Sequence, residues 1–165
     1  MGAPSSQILK GFELVQHFYT SVPILSGKAN ATIAVGDVLE DASGLLTLAD
    51  HDDIRTLVGV AKSAAVAGGT VNYIPCWTGC IFAMTLDGDT NTGVVLADTH
   101  RLQQYGLGID AGNGKPYINS DETTNTGVPA SDVVAITVVD FIDAVGTAYG
   151  RVKGVFLQSR TVWGD

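Results

Sequence analysis

Between residues 32 and 86 the chain contains only short β-prone runs, each closed by turn residues. They read Thr32-Ile-Ala-Val-Gly-Asp-Val-Leu, Leu45-Leu-Thr-Leu, Leu57-Val-Gly-Val-Ala, Val71-Asn-Tyr-Ile-Pro and Ile81-Phe-Ala-Met-Thr-Leu. Gly36-Asp37, Ser43-Gly44, Asp50-His-Asp-Asp53 and Gly68-Gly69 separate them. Short Val/Ile/Leu/Thr strands at this spacing, with turn chemistry between them, predict an antiparallel barrel or sandwich. The expected fold is therefore all-β: a small antiparallel β-barrel or sandwich over residues 32–165, preceded by an extended N-terminal arm over residues 1–31.

A chain of 165 residues suffices for one domain with a real core. Charged residues make up only 16% of it, against about 25% in typical soluble domains. So little charge suits a surface partly buried between subunits, and a homo-oligomer is expected. The net charge of −8 argues against nucleic acid, and the sequence holds no cluster of the Lys and Arg on which that affinity depends, Arg151 and Lys153 being the densest pair. The longest strongly apolar run, Val133 to Val139, is far short of a membrane span, and the start, Met1-Gly-Ala-Pro-Ser-Ser, lacks the pattern of a secretory signal.

In residues 1–31, Ile8, Phe12, Val15, Tyr19 and Val22 fall at helical spacing, but Gly11 and the β-branched content favour extended chain. Large apolar side chains ahead of the first clear strand should not stay solvated. Phe12, Phe18 and Tyr19 are accordingly expected to reach across another surface, as contacts to a neighbouring subunit or another partner. Trp77 and Trp163 are the further interface candidates, since exposed Trp is favoured at protein contacts.

Other motifs fail on inspection. Cys76 and Cys80 flank Trp-Thr-Gly without a second pair to complete a zinc site, and a pair of reduced thiols is the expectation. Asp50-His-Asp-Asp53 reads as a solvated loop rather than a metal site. Asp87, Asp89, Asn91 and Asp98 sit at calcium-loop spacing, yet Thr92 replaces the required Gly, the closing Glu is absent and the flanks are strands. A hairpin between Ile81–Leu86 and Val94–Leu96 explains the same residues. No metal or other cofactor is expected. Gly106-Leu-Gly-Ile-Asp-Ala111 matches a shortened dinucleotide fingerprint, but no apolar strand precedes it and no helix follows. His17, His51 and His100 stand in no catalytic pattern, so the chain is not expected to be an enzyme.

Asn113-Gly114 is a type I′ hairpin signal joining Leu107–Ile109 to Tyr117-Ile118. A long polar loop over residues 119–132 leads to two final strands, 133–142 and 152–157. Trp77, Tyr73 and Tyr105 are the aromatics available for a sugar platform, and a carbohydrate- or receptor-binding module is the alternative function.

Ile33-Ala-Val-Gly-Asp-Val, Leu57-Val-Gly-Val-Ala, Ala64-Ala-Val-Ala-Gly-Gly69, Val71-Asn-Tyr-Ile-Pro75, Ile81-Phe82 and Gly106-Leu-Gly-Ile-Asp110 together have a further reading. Their succession, covering most of residues 30–160, resembles the small β-barrel head decoration (cement) proteins of tailed bacteriophages. The resemblance implies a non-enzymatic virion protein on the outer capsid surface. It would bind the major capsid protein, stabilise contacts between capsomers and associate as a trimer, with neither nucleic acid nor membrane as a partner.

Overall fold

The computed structural model describes residues 8, 10–49, 56–88, 93–123 and 134–164. In chain order the strands are β1 (Glu13–His17), β2 (Leu25–Lys28), β3 (Val38–Ala42), β4 (Leu45–Leu48), β5 (Leu57–Ala61) and β6 (Thr70–Pro75), followed by β7 (Cys80–Asp87), β8 (Gln104–Ile109), β9 (Pro116–Asn119), β10 (Ile136–Phe141) and β11 (Arg151–Phe156). Among the described residues the only helical pieces are two three-residue 3-10 turns, at Asp98–His100 and Gln158–Arg160. The protein is all-β.

Five strands close on themselves. β7 pairs with β11, then β10, β8 and β9 follow in order, and β9 returns to β7 in a parallel pairing of Leu86 with Ile118 and Asp87 with Asn119. Closure removes the sheet edges that would otherwise present unpaired backbone. The inward positions alternate as a strand requires: Phe82, Met84 and Leu86 on β7, Ile136 and Val138 on β10, and Val152 and Phe156 on β11 are all buried. A register shift between Val138 and Asp140 marks a bulge of the kind that bends a strand around a barrel. β1 extends this sheet on the part of β7 that β9 leaves open, pairing Glu13 with Ala83 and His17 with Cys80.

The second sheet has the order β2-β6-β5-β3-β4. Its two ends meet where Ala29 bridges Leu46 in parallel, and Asn30 N–H donates to the Leu46 carbonyl at 2.7 Å. Ala29, Ile33, Leu39, Leu46, Val58 and Val71 fill its own small core. The opposite side chains of the same strands, among them Val38, Val60 and Ile74, pack into the larger core with Phe12, Phe82 and Phe156. The two sheets thus share one apolar seam.

The first 31 residues depart from the expected arm. β1 and β2 are strands of the two sheets, and Phe12 lies in the seam, 3% exposed. Gly11 explains how the chain enters: a Cβ there would lie 2.6 Å from the Gly36 carbonyl oxygen, and Phe12 N–H donates to that oxygen at 2.9 Å. Arg151 holds the crossing from the other side, donating to the Gly11 carbonyl at 3.0 Å, to Thr85 Oγ1 at 3.2 Å and to the Ala83 carbonyl at 3.3 Å. Burial lowers the pKa of Arg151, opposed by the nearby charges of Glu13 and Asp143. The sequence reading of Phe12 as a contact to a partner is therefore corrected: its apolar mass is spent inside the fold.

Two turn expectations also change. Val94–Leu96 does not pair back on β7; Val95 bridges Ala148, and Leu96 N–H donates to the Thr147 carbonyl at 2.9 Å. β8 and β9 do form a hairpin, but Ile109 pairs with Pro116 across a six-residue loop, 110–115, in which Gly114 takes the positive φ and Asn113 does not. The strands expected over 133–142 and 152–157 are present as β10 and β11.

Because Phe12 completes the shared core, Phe12→Ala should cost roughly 3–5 kcal/mol in chemical denaturation. Deletion of residues 1–20, which removes β1 as well, should abolish the cooperative thermal transition followed by circular dichroism. A truncated protein that melts like the full chain would contradict this placement.

Candidate interaction surface

Beyond the end of β1 the backbone continues against the turn before β7. Phe18 N–H donates to the Gly79 carbonyl at 3.1 Å, and Gly79 N–H donates to the Tyr19 hydroxyl oxygen at 3.3 Å. The turn itself closes with Cys80 N–H donating to the Trp77 carbonyl at 3.0 Å. From the far end of the chain, Val162 N–H donates to the Leu57 carbonyl at 3.0 Å, and Trp163 Nε1–H donates to the Val58 carbonyl at 2.7 Å. Three remote segments are thereby brought together.

The result is a continuous row of aromatic rings. Tyr19 meets Trp77 edge-on with centroids 5.5 Å apart, and Trp77 meets Trp163 edge-on at 6.0 Å. These are favourable edge-to-face geometries for π-systems. Phe18 stands beside the row, 72% exposed, and Val22, Ile24 and Val162 are exposed as well. Two grooves flank the row. One, about 390 Å³, runs along Tyr19, Val22, Pro23, Ile24 and Trp77. The other, about 320 Å³, is lined by Trp163 and Val162 together with Ser26, Asp41 and Leu46.

Residues 18–25, Phe-Tyr-Thr-Ser-Val-Pro-Ile-Leu, contain no charge. Large apolar side chains grouped on an uncharged surface are what protein contact sites use. Of the five aromatics singled out by sequence, the structure groups Tyr19, Trp77 and Trp163 in the row, places Phe18 next to it, and removes Phe12 to the core. Val22, Ile24 and Val162 join the patch without any sequence signal beyond their hydrophobicity. The sugar platform expected from Trp77, Tyr73 and Tyr105 is not formed. Tyr73 is buried in the small core of the second sheet and Tyr105 in the larger core.

His17, Cys76 and Cys80 border the row, and His100 lies apart from it. His17 faces Cys80 in register, but its Nδ1 accepts from Tyr19 N–H at 3.3 Å. Cys76 and Cys80 are buried and unlinked. Burial raises the pKa of both, well above the usual thiol range for Cys76, where Cys80 adds to the effect. Such thiols stay protonated and are poor nucleophiles. His100 accepts from Ala97 N–H at 3.1 Å, and burial lowers its pKa. Among the described residues no His is hydrogen-bonded to a Cys, Ser or Thr.

The acidic loop does not assemble as a calcium loop within the described residues. Asp87 is buried, with Oδ1 accepting from Gly93 and Val94 N–H at 3.2 and 3.1 Å. Asp98 lies on the surface, paired with Arg101 at 3.2 Å, and that guanidinium rests over the Phe141 ring at 4.3 Å. Asp89 and Asn91 lie outside the described residues, as does the run Asp50–Asp53. No three His, Cys, Asp or Glu side chains converge as metal ligands among the described residues.

The patch separates stability from contact. Phe18→Ser should leave the unfolding midpoint nearly unchanged, because exposed substitutions typically stay within about 0.5 kcal/mol. Trp163→Ala removes one of the two donors to the Val58 carbonyl, which keeps Cys76 N–H, together with the edge-on contact to Trp77, and should cost roughly 1–3 kcal/mol. Guanidinium denaturation of the two variants checks both; equal losses would contradict the assignment of Phe18 to a surface role. Comparison with protein-family models and with curated proteins finds no match to this chain.

Proposed function

We propose that this protein is a structural binding module, a cement protein that attaches to the outer surface of an assembled viral shell and strengthens contacts between capsomers. The observation that carries the reading is the uncharged aromatic patch of Phe18, Tyr19, Trp77 and Trp163 on a rigid, closed β-scaffold. Burying rings of this size in a partner supplies roughly 1.5–3 kcal/mol each before ordering costs. Tyr19, Trp77 and Trp163 brace one another edge-on and Trp163 is bonded to Val58, so these three rings have little conformational entropy left to lose on docking. The succession of motifs resembling phage decoration proteins points to the major capsid protein as partner and to a trimer as the attached form. The low charge content and net charge of −8 suit a protein that packs against protein and avoids the nucleic acid within. Among the described residues no helix is long and apolar enough to cross a membrane.

One groove favours a second reading. Trp163 shares its groove with the Asp41 carboxylate and Ser26, a grouping of ring and polar atoms of the kind a saccharide uses.

The test is co-sedimentation with shells assembled from a tailed-phage major capsid protein. The wild type should sediment with the shells, and a Phe18→Ser/Ile24→Ser variant should lose binding by at least tenfold while keeping its circular dichroism spectrum. Sedimentation velocity at micromolar concentration checks the trimer. Undiminished shell binding by the variant would overturn the patch assignment, and binding to a glycan array without shell binding would favour the saccharide reading.

A further inference from the structure

Ser43, Leu102 and Tyr149 are the non-glycine residues held at positive φ among the described residues. That conformation crowds a side chain against the following carbonyl, and glycine alone enters it freely. Ser43 precedes Gly44 in the tight turn between β3 and β4, and Tyr149 lays its ring against Gly93. Leu102, at φ 61°, has no such use. Its side chain is 73% exposed, the most of any large apolar side chain among the described residues. The backbone around it is fixed. Leu102 N–H donates to the Val138 carbonyl at 2.8 Å, and Val138 N–H donates to the Gln103 carbonyl at 3.0 Å. Next to it Arg101 lies over Phe141 and pairs with Asp98, and Asp140 is 3.8 Å from the same guanidinium. Glycine would serve this turn with less strain. A leucine that is strained, rigid and solvated has the properties of an anchor for a partner.

A receptor for that anchor is present on the same chain. Where β1 meets β5 and β6, a groove of about 250 Å³ is lined by Phe12, Leu14, Val22, Val35, Val60 and Ile74. It has room for a leucine side chain, and Val35 stands at it 57% exposed. Lys62 borders the groove, exposed and without an ion pair among the described residues. The anchor carries the complementary charge, because Asp98 and Asp140 are exposed carboxylates sharing one guanidinium. Within one molecule the two features are apart: Leu102 is bonded to β10, which β11 and β7 separate from β1 in the sheet order.

We propose that Leu102 of one copy seats in the seam groove of a second copy, with Asp98 and Asp140 facing Lys62. Leu102 and Val35 then leave water together, which is the driving force. The contact joins unlike faces, so each copy offers its anchor to one neighbour and its groove to another, and the chain of contacts closes as a ring. Three members for that ring rest on the trimer of the proposed function; the contact itself does not.

Sedimentation velocity without shells reads the contact. The wild type should associate at micromolar concentration, and Leu102→Gly, which relieves the strained φ, should associate at least about tenfold more weakly. The melting temperature of the wild type should rise with protein concentration, and that of Leu102→Gly should not. Lys62→Glu, on the opposite side of the contact, should weaken association as well. Leu102→Cys and Val35→Cys supply the second readout: mixed and oxidised, they should form a disulfide between unlike chains, with neither variant linking to itself. A monomeric wild type, a Leu102→Gly that associates as the wild type does, or a Leu102→Cys that links to its own kind would each overturn the proposal. Association is read here in the absence of shells, so its failure and a failure of attachment are separate results.

Discussion

Phe82 is completely buried on β7, its ring edge-on to Phe156 at 5.5 Å, and Phe156 in turn meets Phe12 at 6.0 Å. This run of rings crosses the seam between the closed barrel and the second sheet. Each ring contributes roughly 1.5–3 kcal/mol by leaving water. The second sheet has only a thin core of its own, built mostly from Ala, Val, Leu and Ile, so its stability depends on the opposite faces of β3, β5 and β6 reaching that seam. β7 is correspondingly the most heavily used strand, bonded to β1, β11 and β9. Phe12 ties the N-terminal segment into the same seam, and the register of β1 follows from it.

That register determines what comes next along the chain. With His17 opposite Cys80, the following residues must run alongside the Trp77–Gly79 turn, and Phe18 and Tyr19 emerge beside Trp77. The C-terminal segment leaves β11 of the closed barrel, reaches β5 of the second sheet through the Leu57–Thr161 bridge and adds Trp163. The interaction surface is thus a consequence of core packing: the same pairing that buries Phe12 exposes Phe18. Rings braced edge-on against one another in this way would lose little freedom if a partner covered them.

Much of the fold was legible in the chain, and for physical reasons. Period-two alternation in the two final strands reports burial on one face, the unbroken apolar run Ile81–Met84 reports a strand covered on both, and Gly and Asp at the breaks report backbone that must turn. What stayed hidden was pairing between remote segments. Nothing local distinguishes Phe12 from Phe18. One is buried and the other exposed because Gly11 lets the chain approach Gly36 within bonding distance, a contact between residues far apart in sequence. The same limit applies to Val94–Leu96, whose partner is the turn at Thr147–Ala148 and not the adjacent strand. Trp77 and Trp163 were recognisable as surface aromatics, but their convergence with Tyr19 required the closed topology. Spacing alone likewise could not report where the acidic side chains of this stretch go: Asp87 accepts from the Gly93 and Val94 amides, and Asp98 pairs with Arg101 on the surface.

The central claim is that the aromatic row is the attachment face. Hydrogen–deuterium exchange of the protein free and bound to assembled shells tests it most directly, because exchange reads backbone protection residue by residue. The account predicts new protection on binding at residues 18–25, at the turn 77–79 and at 162–164. Protection confined to other parts of the barrel, with these three segments exchanging as they do in the free protein, would contradict it.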